Sequence, residues 1–278
     1  MPTRARPDVA EPTGPASAGL IRSARRLRLR KHRSAEGRLL AEGPQAVREA
    51  LAEGLVEALL ATPEGASRAP SLVETGWWAV DEKVMAELAD TVTPSGLLAI
   101  CRWEPCPPET PPEGRGCLVI CAQIRDPGNL GTVIRCADAF GAAAVVTTKG
   151  SVDVANPKTV RASAGSLFHL PIVADADLAA TVTALRRQGV TVLAADGHGD
   201  ADLNDLAADG TLAGRVAWLL GNEAWGLPEA DRALADRLVR IPMWGRAESL
   251  NLATAAAVVL YATASAAQPN YTDPGSTT

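Results

Sequence analysis

The run Cys117-Leu-Val-Ile-Cys-Ala122 leads into Gln123-Ile-Arg-Asp-Pro-Gly-Asn-Leu-Gly-Thr-Val-Ile-Arg135 and then Cys136-Ala-Asp-Ala-Phe-Gly141. A short apolar run ended by turn residues reads as a strand buried on both faces. Asp126-Pro-Gly makes the turn, and Asn129 is a good N-cap for a helix. Leu130, Val133, Ile134 and Ala137 then mark the apolar face of that helix. Strand, turn and helix in that order begin an α/β unit.

The same alternation continues downstream. Residues 143–147, 170–173, 191–195, 215–220 and 238–242 read as further short buried strands. Residues 129–140, 160–168, 177–188 and 228–235 read as the helices between them, and 249–266 closes the series. Near-continuous apolar strands alternating with helices predict a mostly parallel sheet covered on both faces. Ligands of such sheets bind at the loops beyond the strand carboxyl ends.

Upstream, residues 1–19 are rich in Pro, Ala, Gly, Ser and Thr and read as a disordered leader. A basic block comes next, holding Arg22, Arg25, Arg26, Arg28, Arg30, Lys31 and Arg33 with no acid among them. In a chain of formal charge −5 this is a local footprint suited to a polyphosphate, or else a solvated run flanking a domain. From Gly37 the pattern turns helical, through Leu39, Leu40, Val47, Ala50, Leu51, Leu55, Val56, Leu59 and Leu60. Strand-like pieces at 59–61, 77–80 and 96–101, with a helix around 83–88, complete a small α/β unit spanning 20–103. Five prolines between 105 and 112 make residues 104–115 a stiff linker. The second unit then runs over 116–268, and 269–278 form a flexible tail.

Several classes of function are excluded. The chain has 278 residues, 47% of them hydrophobic, enough for two cores. Five cysteines, none in a C-x-x-C pair, and three scattered histidines argue against a metal site or a disulfide framework. No signal-peptide h-region precedes the arginines. Residues 249–272 carry no charge but include Asn251, Thr254, Thr263, Ser265 and Gln268, which suits a buried or interface helix better than a membrane span. A cytoplasmic protein is expected. Gly128, Gly131 and Gly141 lack the spacing of a dinucleotide-binding turn, and there is no P-loop.

Three loops carry polar groups at strand ends. The first holds Asn129 and, one to two turns into the helix, Arg135, which falls off the apolar face. The second is Trp218-Leu-Leu-Gly-Asn-Glu-Ala-Trp-Gly-Leu-Pro228, with Glu223 where the backbone must turn. The third is Ile241-Pro-Met-Trp-Gly-Arg-Ala-Glu-Ser-Leu-Asn251, where Ser249 and Asn251 can cap the closing helix or face a ligand. Taken singly, each is ordinary turn chemistry.

Taken together, in order and spacing, the three loops resemble the SpoU/TrmH branch of the α/β-knot (SPOUT) RNA methyltransferases. Asn129, Gly131 and Arg135 are similar to that family's opening signature, and Gly221 and Glu223 to its Gly-x-Glu. Residues 241–243 and 249–251 are similar to its Ile-Pro-Met…Ser-Leu-Asn ending. Residues 160–171 also look typical, and the resemblance spans about 116–268. More weakly, 20–103 resemble the ribosomal-protein-like RNA-binding domain that many members carry in front.

The resemblance implies a trefoil-knotted carboxyl-terminal domain, S-adenosylmethionine as cofactor, and a homodimer through the final helix. It implies catalytic roles for Arg135, Asn129, Glu223, Ser249 and Asn251. It implies cofactor contacts at Thr147, Leu220, Gly221, Asn222, Ile241, Met243 and Leu250, and RNA contacts at Arg22, Arg25, Arg26, Arg28, Arg30 and Arg161. No metal and no membrane are expected. The implied activity is ribose 2′-O-methylation of RNA, ribosomal RNA being favoured over transfer RNA. A knotted RNA-binding assembly factor without catalysis is the alternative from another class. Trp225 and Trp244 depart from the family pattern and suit either base stacking or a covered seam.

Overall fold

The computed structural model describes residues 9–108 and 116–267. It divides into two compact units. Met1–Glu104 with Asp153–His169 make the first, and Pro105–Val152 with Leu170–Thr278 the second. Parts of the expected leader (1–8) and linker (109–115) and the expected tail (269–278) lie outside the described residues.

In the first unit, β1 (Gly14–Pro15) precedes α1 (Ala18–Arg26) and α2 (Arg30–Glu36). Then come β2 (Arg38–Glu42), α3 (Pro44–Ala52), β3 (Val56–Ala61), α4 (Pro63–Arg68) and α5 (Pro70–Val73). β4 (Trp78–Ala79), α6 (Glu82–Leu88) and β5 (Leu97–Arg102) complete the main run. The five strands lie in the order β1-β4-β3-β5-β2. β5 is antiparallel to both β2 and β3, while β4 is parallel to both β3 and β1. Ala24 of α1 and Leu27 at its end, with Met85 and Leu88 of α6, bury one face of this sheet on Leu40, Leu60, Leu98 and Ile100.

Two local expectations are corrected here. Residues 38–42 form a strand, not the start of a helix. Leu39, Leu40 and Ala41 are buried in succession, which periodicity alone cannot tell from a helix, and Gly43 at φ +91° with Pro44 begins α3 only afterwards. Residues 14–15 of the expected leader pair with β4, and the Ser17 hydroxyl accepts the Leu20 N–H to cap α1.

The second unit begins with β6 (Leu118–Cys121), α7 (Pro127–Ala139) and β7 (Ala144–Thr148). The chain then lends α8 (Pro157–Ala162) to the first unit and returns as β8 (Ile172–Ala176), α9 (Leu178–Arg187) and β9 (Thr191–Ala195). β10 (Ala201–Asp202), α10 (Leu203–Ala208), β11 (Val216–Leu220), α11 (Glu229–Arg232), β12 (Arg237–Arg240) and α12 (Leu252–Ala267) finish it. The helix expected over 160–168 is shorter and earlier. Ala164 at φ +51° and Gly165 at +99° end it, and a 3₁₀ turn comes after at Ser166–Phe168. The helix expected over 228–235 is reduced to α11. Cys106, in the expected linker, donates its N–H to Ile172 at 2.7 Å and so extends the sheet edge beside β8.

Seven strands lie in the order β10-β12-β9-β11-β6-β7-β8, and every neighbouring pair is parallel. Such a sheet needs cover on both faces. Leu118, Ile120, Ala217, Leu219, Val192 and Ala194 form one buried face against Val182 and Leu185 of α9. The alternate residues point the other way, and there the fully buried Trp218 donates its indole N–H to Thr263 of α12 at 2.9 Å. The chain order reverses at β6: β7 and β8 lie to one side, β11 and β9 to the other. A topological switch point of this kind opens a crevice beyond the strand carboxyl ends.

In the first unit, the Arg33 guanidinium, 5% exposed, donates to Asp153 at 3.0 Å. It also donates to the carbonyls of Leu27 and Arg28 at 2.9 and 2.8 Å, closing the end of α1. Removing one partner of a buried pair leaves an uncompensated charge, at a cost of about 3–5 kcal/mol. Arg33 keeps its two carbonyls, so Asp153→Ala is expected near the lower end, about 3 kcal/mol by urea unfolding, with Asp153→Asn losing less.

Candidate functional site

The crevice is built from the ends of β6 and β11, which lie side by side. Asp126, not Asn129, caps α7: its carboxylate accepts the Asn129 N–H at 2.9 Å, and Pro127 occupies the first helical position. Asp followed by Pro outcompetes the later Asn because Pro has no N–H to satisfy and its φ already suits a helix. Asn129 thus sits inside the first turn with its side-chain amide free for other work.

That amide links three loops. The Glu223 carboxylate, just past β11, accepts from the N–H groups of Arg125 and Asp126 at 3.3 and 3.2 Å. It also accepts from Asn129 Nδ2 at 3.2 Å. Asn129 Oδ1 in turn accepts from Asn251 Nδ2 at 3.2 Å. Asn251 caps α12 through the Ala253 N–H at 2.9 Å. Asn222 adds a bond to the Gln123 carbonyl at 2.7 Å. Gln123 holds a left-handed φ of +52°, a strain that the Thr148 hydroxyl and Asn222 secure from its two sides. Four of the expected catalytic and binding residues, Asn129, Asn222, Glu223 and Asn251, therefore join one network.

The 222–226 loop is closed on itself by reciprocal Asn222–Gly226 backbone bonds, each 2.9 Å. Gly221 lies against that closure: a Cβ there would come within 2.5 Å of the Gly226 carbonyl carbon. Glycine is required by this close approach.

Beside the network opens a cavity of about 560 Å³ beyond β9, β11 and β12, a size that suits a nucleoside-sized ligand. Of the expected cofactor contacts, Leu220, Gly221, Asn222, Ile241, Met243 and Leu250 line it, as do Glu223, Ser249 and Asn251. Thr147 does not: it is buried in β7, two strands from β11, with its hydroxyl toward the Val173 carbonyl at 3.4 Å. Arg135 is not a wall residue either; it stands exposed on α7. The loop after β9 was missed by sequence reasoning. Asp196, Gly197 and His198 line the cavity, and Asp196 lies 3.3 Å from Arg232, another wall residue. A Gly-rich polar turn gives no signal of its own; only the β9–β11 pairing puts it here.

Below the network, burial first and the Glu223 charge second push the Cys121 thiol up to about 12. It is a neutral packing group. Among the described residues no group of three or more histidines, cysteines or acids could hold a metal ion.

The expected RNA-contacting arginines separate in the first unit. Arg25 pairs with Glu87, and Arg26 with Glu36 at 3.0 Å. Arg161 lies 3.0 Å from Asp90 and 3.7 Å from Glu42. Arg28 bonds the Glu87 carbonyl at 2.6 Å but stays exposed, as do Arg22, Arg30 and Lys31.

Comparison with known proteins gives two family matches. Residues 116–261 match the SpoU rRNA Methylase family, and residues 19–99 match the MRM3-like substrate binding domain. Over 244 residues the chain is 35% identical to the 23S rRNA (guanosine(2553)-2′-O)-methyltransferase RlmP of Bacillus subtilis, covering 87% of this chain and 94% of that protein. It is similar in structure to the SpoU methyltransferase AviRb of Streptomyces viridochromogenes in complex with AdoMet. There the TM-score is 0.76 at 30% identity, covering 90% of this chain and 97% of that one. The AdoMet-bound rRNA methyltransferase of Sinorhizobium meliloti gives a TM-score of 0.72 at 30% identity, covering 94% and 99%.

Overpacking a tight backbone contact costs about 1–3 kcal/mol. Gly221→Ala is expected to lose about that much in thermal or urea unfolding. Amide exchange should quicken at residues 222–226, while a protection pattern unchanged there would remove the steric role given to Gly221.

Proposed function

Because the chain belongs to the SpoU rRNA methylase family, we propose that it is an S-adenosylmethionine-dependent methyltransferase acting on a ribose 2′-hydroxyl of ribosomal RNA, 23S rRNA before others. The observation that carries this reading is the Glu223–Asn129–Asn251 network beside the cavity, which joins the three loops of the family signature.

The residues present fit the donor. The cavity is large enough for an adenosine with its amino-acid arm, and the close backbone approach of Gly221 to Gly226 holds the loop that walls it. Leu220, Gly221, Ile241, Met243 and Leu250 would hold it through backbone groups and apolar contact. When bound, S-adenosylmethionine supplies an electrophilic methyl group on a sulfonium.

The chain's own residues must do the rest. A ribose hydroxyl is a very weak acid, so a group must stabilise negative charge on its oxygen as the proton leaves. An arginine keeps its proton in proteins, so the Arg135 guanidinium orients the neighbouring phosphate and stabilises the alkoxide. The proton passes to that phosphate or to water. Glu223, Asn129 and Asn251 hold the loops in register, and Ser249 offers its hydroxyl from the cavity wall. Fixing the acceptor in line with the methyl supplies much of the acceleration.

A homodimer through α12 belongs to the same proposal. All sixteen residues of α12 are uncharged, Tyr261 is 62% exposed, and its ring meets Phe140 of the adjoining α7 region edge-on at 5.8 Å. An apolar face of that kind calls for a partner. A second copy against α12 would also come beside Arg135, which is exposed and does not line the cavity described above. A trefoil knot at the carboxyl terminus is proposed as well. Supporting it, the segment after β12 returns to bond Asn129, 122 residues earlier.

In this reading, residues 20–103 hold the RNA and 116–268 carry out the transfer. Arg22 and Arg28, with Lys31, provide the exposed charge, while Arg25, Arg26 and Arg161 serve mainly the fold. The setting is cytoplasmic, where ribosomal RNA and the donor meet. Five cysteines without a disulfide agree with that.

Purified protein with labelled S-adenosylmethionine is expected to methylate ribosomal RNA lacking the modification and to leave total tRNA unlabelled. Label in tRNA alone would move the substrate to that class, and label in neither would favour a binding factor. Arg135→Ala is expected to lower the transfer rate by at least about a hundredfold while donor affinity stays within a few-fold; a fully active variant would remove Arg135 from the chemistry.

A further inference from the structure

We infer that Trp225 and Trp244 form a stacking platform for an unpaired nucleobase next to the methylated ribose, with Arg246 meeting the adjoining phosphate. The inference rests on the function proposed above and names how that site takes its RNA.

Six tryptophans are spread along the chain, and their environments differ sharply. Trp218 is fully buried and bonded to Thr263. Trp77 is 4% exposed and donates its indole N–H to the Ala10 carbonyl at 2.8 Å. Trp78 and Trp103 are half-buried. Only Trp225 and Trp244 are largely exposed, at 54% and 88%. Both belong to the loops that wall the cavity. Trp225 is itself a wall residue, and Trp244 comes directly after the wall residues Ile241 and Met243. In a chain with only 4% aromatics, two water-exposed indoles on loops that wall one cavity are apolar surface that calls for a ligand.

The position restricts what that ligand is. A ribose hydroxyl that reaches the cavity must enter by its mouth, bringing its base and two phosphates with it. Every base offers a flat π face, so indoles beside the entry would hold RNA without demanding one sequence. Trp225 is well prepared for this. The reciprocal Asn222–Gly226 bonds and the Ala224 N–H bond to Asn222 at 2.8 Å fix its loop, so little freedom is lost on stacking. Arg246, on the same loop as Trp244, is exposed and has no ion pair among the described residues. An unpaired cation interleaved with indoles suits a polyanion with stacked rings. It suits the apolar seam of a second copy poorly, and α12 already offers a seam of that kind.

The test is steady-state methylation of a ribosomal RNA fragment at saturating donor, comparing wild type with Trp225→Ala, Trp244→Ala and the two Phe variants. Each Ala variant is expected to raise the KM for RNA about tenfold, with kcat changing much less. The Phe variants should recover most of the loss, because a π face is retained. For Trp244→Ala, donor affinity by calorimetry and the sedimenting mass should match wild type. An unchanged KM in both Ala variants would overturn the inference. So would a KM change accompanied by an equal loss of donor affinity, which would make the indoles a cover for the cofactor. A change of mass would make them part of a subunit seam instead. Should an Ala variant fail to fold, the Phe variants decide: wild-type KM supports stacking, and a tenfold rise overturns it. A wild type that methylates no RNA would defeat the proposed function itself, whereas active wild type with unmoved variants defeats this inference alone.

Discussion

The site depends on one carboxylate. Glu223 sits where β11 runs out, and its oxygens accept two backbone N–H groups and one side-chain amide from the turn after β6. Those N–H groups would otherwise be orphan donors at the start of a helix. A negative charge at that helix start also has the favourable sign for the helix dipole. Satisfying them from a different loop joins two strand ends that are adjacent in the sheet but nearly a hundred residues apart in the chain. Asn129 then passes the connection to Asn251 and so to the start of α12. Cavity wall, helix cap and loop closure are parts of one hydrogen-bonded set.

Parallel pairing makes this possible. Because all seven strands run the same way, the turns after β6, β9, β11 and β12 emerge on one edge. The reversal of strand order at β6 keeps a helix from filling the space above them. Trp218, buried under α12 and bonded to Thr263, holds the floor of that region. At Gly221 and at the left-handed Gln123 the backbone gives up comfort for close approach.

In the first unit, charge serves structure more than composition suggests. Arg33 closes α1 and is neutralised by Asp153, and Arg161 joins Glu42 and Asp90. A basic block in the sequence is a count of charges, not a count of free ones. Arg25 and Arg26 are exposed but ion-paired, so the exposed charge outside those pairs, at Arg22, Arg28 and Lys31, is a smaller footprint than the block.

Local pattern determined a good deal. The buried strands at 118–121, 191–195 and 216–220 were legible because parallel strands need apolar residues on both faces. The three polar loops were legible because Gly, Asn, Asp and Pro at strand ends have few other uses. The family was evident from their order and spacing. Residues 38–42 were misread because a short, fully buried run carries no period. Tertiary structure alone decided the rest. Thr147 has the right residue type at a strand end, yet β6 separates its strand from β11. Asp196 and His198 look like an ordinary turn until β9 is placed beside β11. On the helix pattern alone Arg135 reads more readily as a surface charge than as a group pointing back to the loop, and in the packed α7 it is exposed. Side-chain chemistry and periodicity are properties of neighbours along the chain. Which strand lies beside which is set by long-range packing, and that decides which loops share a cavity.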